Sequence, residues 1–301
     1  MAFELFKGEW YDLYNGDCLE VMRTLPDSSV DIVITSPPYN TCRKGTIADC
    51  KDVKGRYDKR YDQFIEAKTT EEYVQWTVDL FKEFDRLLRP NCPVLYNYGM
   101  GTDSQTGACI DDWWLVIPAV IAKSNFSCAD MLFWKKNCAL PNNMSPNKST
   151  RIVEPVMVMA RKNETGTFLA NKKHANTRRS GQKTYTPFAN LFWSPNNDEC
   201  TDVNKATFSV RFVRQLMDWY VPDSHGDDYT ALDPFNGTGT TGRACQERGI
   251  KYVGIELSND QCRHTIKRFG ESFEKYDPTA KADTLAVFVD NEPAGTQELL
   301  F

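Results

Sequence analysis

Val30-Asp31-Ile32-Val33-Ile34-Thr35-Ser36-Pro37-Pro38-Tyr39 is the stretch that decides the fold. Val30, Ile32, Val33 and Ile34 form the near-continuous apolar run of a parallel strand covered on both faces, and two prolines end it because proline has no N–H to offer a ladder. The run predicts a central strand of an α/β sheet. Ligands of such sheets gather at the carboxyl ends of the strands, so Ser36, Pro37, Pro38 and Tyr39 stand where a site is expected, with Thr35 just before them. The same tetrapeptide also serves as a plain strand-to-loop turn.

The choice depends on a second stretch about two hundred residues later, Asp233-Pro234-Phe235-Asn236-Gly237-Thr238-Gly239-Thr240-Thr241-Gly242. A strand (Thr230–Leu232) enters it, a helix leaves it, and Gly237, Gly239 and Gly242 fit GxGxxG. A further strand, Tyr252–Ile255, ends in Glu256, nineteen positions after Gly237. This is the spacing of a nucleotide-binding βαβ unit: glycines permit close backbone approach, the helix N-terminus holds an anionic group, and the acid takes ribose hydroxyls. By pattern alone NAD is the first ligand to consider.

Topology speaks against a standard NAD domain. Only one helix, Asn259 to Phe269, follows Glu256 before an acidic tail, so the next strands of a doubly wound sheet are missing from that end. They are present at the other. Residues 11–34 read as a short strand (Tyr11–Tyr14), Asn15-Gly16-Asp17, a helix through Leu19, Met22 and Leu25, and a turn into the deciding strand. Asp17 then lies on the same carboxyl edge as Gly237 and Glu256, where it either meets a ligand or caps its helix.

Elsewhere Thr70 is expected to cap a helix whose core stripe is Tyr73, Thr77, Leu80, Phe81, Phe84, Leu87 and Leu88, stopped by Arg89-Pro90. A strand at Val94–Asn97, a helix over 111–123, strands near 129–134 and 152–160, and a helix over 208–220 follow. Pro155 predicts an edge position or a bulge for its strand. Residues 40–68 mix Lys and Arg with Tyr57, Tyr61 and Phe64, as a loop over the site or a solvated flap does.

The chain has 301 residues and a net charge of −5, all of it carried by residues 271–301, where seven acids face Lys275 and Lys281. The rest is neutral but uneven: 151–183 holds eight Lys or Arg against Glu154 and Glu164. Such an excess can dock phosphates. Ten cysteines without a CxxC pair, and only three histidines, predict reduced thiols and no metal. Neither a leader nor a membrane span is apparent, so a soluble, cytoplasmic protein is expected.

The tip chemistry suits an exocyclic amino group of a nucleobase, a poor nucleophile because its lone pair is delocalised into the ring. Ser36 Oγ and the Pro37 carbonyl can accept its two N–H bonds, and Tyr39 can stack on a flipped base. With both motifs in this order, the sequence resembles the permuted, β-group amino-methyltransferases of DNA found in restriction–modification systems and phages. The matching segments are Tyr14 to Glu20 with Leu25 to Asn40, the Arg151 to Lys162 strand, Lys205 to Ser209 before the 208–220 helix, and Leu232 to Thr241 through Val253 to Leu257.

The resemblance implies a Rossmann-like methyltransferase fold, a seven-stranded mixed sheet in circularly permuted order with a DNA-recognition insertion, and S-adenosylmethionine as cofactor. It divides the chain into a catalytic part (1–162), a target-recognition insertion (163–200), a cofactor-binding part (201–270) and a flexible acidic tail (271–301). Carried over, Asp233, Phe235, Asn236, Gly237, Gly239 and Thr240 surround the methionine part of the cofactor, Glu256 the ribose and Asp17 the adenine, with Thr35 beside them. Ser36, Pro37, Pro38 and Tyr39 handle the base, and Lys172, Lys173, Arg178, Arg179 and Lys183 of the insertion contact DNA, unless that run is an ordinary basic surface loop.

Family members acting on adenine usually carry Asp where this chain has Ser36, and serine is commoner in those acting on the cytosine 4-amino group. The expectation is therefore N4-cytosine methylation, with N6-adenine as the alternative. A nucleotide-dependent oxidoreductase leaves Ser-Pro-Pro-Tyr without a task, and an idle DNA-binding protein does not need an intact tip and glycine loop. The end of the tail, Gln297-Glu298-Leu299-Leu300-Phe301, resembles the short peptides that dock on bacterial sliding clamps, with Gln297, Leu300 and Phe301 at matching places. A tail that folds back on its own body is the other reading.

Overall fold

The computed structural model describes residues 3–40, 68–99, 112–136, 149–150, 152–171, 174–185, 190–195 and 208–270. Its elements, in chain order, are β1 (Glu4–Lys7), β2 (Tyr11–Asn15), α1 (Cys18–Met22), β3 (Ile32–Thr35), α2 (Thr70–Leu87), β4 (Val94–Asn97), α3 (Asp112–Lys123), β5 (Phe126–Lys135), β6 (Val153–Arg161), β7 (His174–Thr177), β8 (Lys183–Tyr185), β9 (Leu191–Trp193), α4 (Val210–Tyr220), β10 (Thr230–Asp233), α5 (Thr240–Arg248), β11 (Lys251–Glu256) and α6 (Asn259–Phe269).

β3 is buried at every position, and its alternation shows why it had to be apolar on both sides. Val33 joins a core under α1, α2 and α3, whereas Ile32 and Ile34 join another formed with α4, α5 and α6. A strand between two helical layers has no solvent face to spend on polar side chains.

The main sheet runs β1-β2-β11-β10-β3-β4-β6-β5-β9. Strands β2, β11, β10, β3 and β4 are parallel, and β6 turns antiparallel between β4 and β5. Among the described residues the seven expected strands are there, with β1 and β9 added as edges, making nine. β10 from the last third of the chain lies directly beside β3 from the first, in the permuted order predicted. Asp31 helps to lock that junction: its carboxylate accepts from the Thr230 backbone N–H at 2.8 Å and pairs with Arg89 beyond α2.

Two local expectations are corrected. The cap of α2 is Thr69, one residue earlier than expected, in a capping box where Thr69 and Glu72 exchange bonds with each other's backbone N–H. Pro155 sits neither at an edge nor at a bulge: β6 is an interior strand, and the irregular register in β5 lies between Cys128 and Asp130. The Pro155 carbonyl accepts from Tyr98 N at 3.0 Å, just past the last β4 pair, Asn97 with Val156. Its ring nitrogen faces the same side, where the ladder has ended, so the missing N–H breaks no bond between paired strands.

Residues of the 163–200 segment pack against the body. Phe192 of β9 is buried in the second core, with Phe168 and Ala170 packed on it, whereas β7 and β8 form a separate two-stranded hairpin. Among the described residues no helix is long and apolar enough to cross a membrane.

Candidate active site

The carboxyl ends of β3 and β10 meet through a buried carboxylate. Thr35 and Thr241 each donate a hydroxyl proton to Asp233, at 2.7 Å to Oδ1 and 2.7 Å to Oδ2, and the Phe235 amide adds a bond of 3.1 Å to Oδ1. Burial pushes the Asp233 carboxyl up to about 6, and those three bonds pull in the opposite direction. Asp233 thus braces the glycine loop from inside and ties it to the strand that carries Ser36.

The loop adopts the backbone its glycines were expected to allow. Gly237 and Gly239 have φ of 54° and 81°, and a Cβ on Gly239 would lie 2.6 Å from Thr265 Cγ2. At Gly242 a Cβ would lie 2.4 Å from the Phe269 ring, which is the close packing a third glycine permits. Glu256, half-buried at the end of β11, accepts from Gly237 N at 2.7 Å and from Ser258 N at 2.9 Å. Desolvation nonetheless raises its carboxyl to about 7.

Asp17 reaches the same rim. Gly16 N donates to the Glu256 carbonyl at 3.0 Å, and the Asn15 amide donates to the carbonyls of Glu256 and Leu257, both at 2.9 Å. Asp17 Oδ1 caps α1 by accepting from Leu19 N and Glu20 N. Capping draws both of those bonds onto one carboxylate oxygen and leaves the residue on the ligand edge, so its two sequence-level uses are geometrically compatible.

At the tip of β3, Ser36 Oγ and Tyr39 Oη are 2.7 Å apart, and Tyr39 Oη donates to Asn97 Oδ1 at 3.1 Å. The Tyr39 ring lies against Gly99, where a Cβ would come within 2.2 Å of it, and 5.3 Å from the Tyr98 ring. Pro37 is buried, and the Pro38 carbonyl is fixed by the Tyr73 hydroxyl at 2.8 Å. Asn40 then clasps Lys68 through two bonds of 3.1 and 3.2 Å, joining the two ends of segment 41–67, which lies outside the described residues. Trp76 of α2 bridges toward the glycine loop, its ring 5.5 Å from that of Phe235.

A buried acid-braced glycine loop and a Ser-Pro-Pro-Tyr tip on adjacent parallel strands, drawn from opposite ends of the chain, match a known pattern: the model of the N6/N4 class described as DNA methylase covers residues 30–267. The chain belongs to this DNA methylase family.

Relatives of the chain include the Type II methyltransferase M.BglII of Bacillus subtilis, 23% identical over 82% of the chain and 66% of the relative, and M.BamHI of Bacillus amyloliquefaciens, 24% identical over 82% and 54%. The chain thus spans less than two thirds of either protein's length. The DNA adenine methyltransferase YhdJ of Escherichia coli is 21% identical over 87% of the chain and 84% of that protein. Among solved structures, the cytosine-N4-specific PvuII DNA methyltransferase superposes with a TM-score of 0.65 at 18% identity, covering 93% of this chain and 92% of that one. A DNA modification methylase of Thermus thermophilus in complex with S-adenosyl-L-methionine gives 0.53 at 22% identity, covering 85% and 92%. These likenesses fix the fold as that of methyltransferases.

For the outlying candidate residues the picture is mixed. Arg178 and Arg179 are exposed at the turn between β7 and β8, closed by Arg178 N to Gln182 O at 2.8 Å and by Gly181 with φ of 79°. Lys183 begins β8, while Lys172 and Lys173, and the tail with Gln297, Leu300 and Phe301, lie outside the described residues. Sequence reading missed Asn97, Trp76 and Thr241. Asn97 carried a signal: a polar residue closing a four-residue strand, at the edge where ligands gather.

Proposed function

We propose that this chain is a site-specific DNA amino-methyltransferase that moves the methyl group of S-adenosylmethionine to the N4 amino group of a flipped-out cytosine. The observation that carries it is the direct bond from Thr35 to Asp233, which joins the base-handling tip and the glycine loop at one rim. The loop fits the cofactor: backbone at positive φ where side chains are excluded, and an acid, Glu256, at the end of the next strand. Gly237, Gly239, Asn236, Phe235 and Thr240 surround the methionine part, braced by Asp233 with Thr35. Glu256 holds the ribose and Asp17 the adenine.

S-adenosylmethionine supplies an electrophilic sulfonium methyl. The chain's own residues raise and aim the attacking nitrogen. Ser36 Oγ and the Pro37 carbonyl accept its two N–H bonds, favouring a pyramidal nitrogen with its lone pair turned outward, while Tyr39 supports the base and Pro38 keeps the tip rigid. The bound cofactor would give up the methyl group with its sulfur as the leaving group, and the surplus proton of the methylated, cationic nitrogen would pass to water. Serine is no base at neutral pH, so alignment lowers the barrier more than proton abstraction does.

Ser36 in place of an acid favours cytosine; similarity to an adenine methyltransferase makes N6 of adenine the second reading. Mass spectrometry of nucleosides from DNA treated with the protein separates them: N4-methylcytosine is expected, and N6-methyladenine would transfer the assignment. Residues 163–200 form the target-recognition part between a catalytic part (1–162) and a cofactor-binding part (201–270), with Lys172, Lys173, Arg178, Arg179 and Lys183 on DNA phosphates. The protein works in the cytoplasm, where its DNA lies, and the Type II methyltransferases among its relatives support a role in DNA modification. Its tail (271–301) offers Gln297, Leu300 and Phe301 to a sliding clamp; a chain lacking the last five residues that binds clamp as well as the full chain, or a full chain that binds none, removes that partner.

A further inference from the structure

We infer that Asn97 is a positioning residue: it sets the direction of the hydroxyl chain at the tip of β3 and so makes Ser36 an acceptor for the target amino group. The inference rests on the amino-transfer reading above. It follows from counting protons. The Pro155 carbonyl can only accept, and it takes the Asn97 amide N–H at 3.1 Å, which orients the amide with Oδ1 toward Tyr39. Oδ1 can only accept in turn, so Tyr39 gives it the single phenolic proton across 3.1 Å. The Tyr39 oxygen then receives its 2.7 Å bond from the Ser36 hydroxyl.

With its own proton committed to Tyr39, Ser36 Oγ presents lone pairs to the base. The direction matters because a serine free to rotate can instead aim its O–H at the amino nitrogen. That bond would engage the lone pair that has to attack the methyl group. The origin of the chain is rigid: Pro155 lies in an interior strand, and its carbonyl also accepts from Tyr98 N at 3.0 Å. Asn97 is 3% exposed, so water does not readily substitute for it. A neutral amide also keeps this polarity at any pH near neutral, whereas an imidazole there would titrate and a carboxylate would have no N–H for the Pro155 carbonyl.

The test is single-turnover transfer of tritiated methyl from S-adenosylmethionine to unmodified plasmid DNA, with cofactor affinity measured alongside. Asn97→Leu and Tyr39→Phe are each expected to slow methyl transfer about tenfold, as loss of one oriented hydrogen bond would. Cofactor affinity should stay within about twofold, since neither group belongs to the glycine loop. Because both act through Ser36, the double variant should be no slower than the slower single one. A double variant near a hundredfold loss, or wild-type turnover in either single variant, overturns the inference. Should Asn97→Leu lose cofactor binding, and with it the fold, Tyr39→Phe in a Ser36→Ala background decides. It should then be silent, and a further tenfold loss would overturn the relay. Absence of methyl transfer by the unaltered protein sinks the functional reading and this inference with it, whereas additive losses in an active enzyme sink only the inference.

Discussion

Tyr39 has two separable properties, a ring and a hydroxyl. The ring lies half-buried over Gly99, and removing it in Tyr39→Ala is expected to reduce turnover at least a hundredfold while cofactor affinity stays nearly intact, because the ring belongs to the tip beyond β3 and not to the glycine loop after β10. Equal loss of turnover and affinity would remove Tyr39 as the base-supporting group. Glu256 offers a pH test. Its carboxyl is raised to about 7 in the folded protein, so between the ordinary carboxylate range and pH 7 the folded state binds more protons than the unfolded one. Its contribution to unliganded stability therefore falls as pH rises through that window. Ribose hydroxyls donate best to the charged form, so cofactor affinity should climb from pH 6 to pH 8. Glu256→Gln is expected to flatten both slopes, read by melting temperature and by titration calorimetry; an affinity slope that survives the change would assign it to another group. At this scale the placement of Ser36, Glu256 and the three glycines at one sheet edge was legible, because strand ends and glycine-permitted backbone depend on residue type. Asn97 left a trace of its position at the same edge but none of its task, which depends on which carbonyl of a strand about sixty residues on lies opposite it.

Among the elements, the loop between β10 and α5 is constrained by what packs on it. Gly239 combines φ of 81° with a Cβ position 2.6 Å from Thr265, so Gly239→Ala is expected to cost about 1–3 kcal/mol and weaken the cofactor at least tenfold. Unchanged affinity in that variant would show that the loop does not approach the ligand. The β7–β8 hairpin has a different role. Arg178 and Arg179 stand exposed on a two-stranded sheet apart from the core, so Arg178→Ala with Arg179→Ala should leave the melting temperature unaltered. The pair should lower the slope of log affinity against log salt for DNA by about two. An unaltered salt slope would make the hairpin a bystander. Helix periodicity revealed α2 and α4 within a residue or two, as periodic burial on one face leaves a clear trace in sequence. Pro155 misled for the converse reason: a proline inside a sheet is excluded only where a partner strand still asks for its N–H, and the position at which β4 ends is not written locally.

For the whole molecule, closure of the permuted sheet depends on aromatic packing between the two chain ends. Phe269 of α6 is 6% exposed and lies 4.7 Å from Trp10, 4.9 Å from Tyr11 and 6.1 Å from Tyr252, beneath Gly242. Phe269→Ala is expected to destabilise the fold by about 3–5 kcal/mol and to loosen the glycine loop, lowering cofactor affinity as well. Denaturant unfolding checks the first effect; a loss under 1 kcal/mol would mean that the ends are joined by other contacts. The amino-acid order alone determined that a parallel sheet exists, that its nucleotide-type loop comes last and its Ser-Pro-Pro-Tyr tip first, and that both face one edge. Those properties follow from periodicity, glycine freedom and proline geometry, which act over a few residues. Only the tertiary structure decided that β10 adjoins β3, that Thr35 reaches Asp233, and that Ser36, Tyr39, Asn97 and the Pro155 carbonyl form one chain of hydrogen bonds. Hydrogen-bond direction is set by the partner at the far end of the chain of donors, and that partner is supplied by packing between segments distant in sequence.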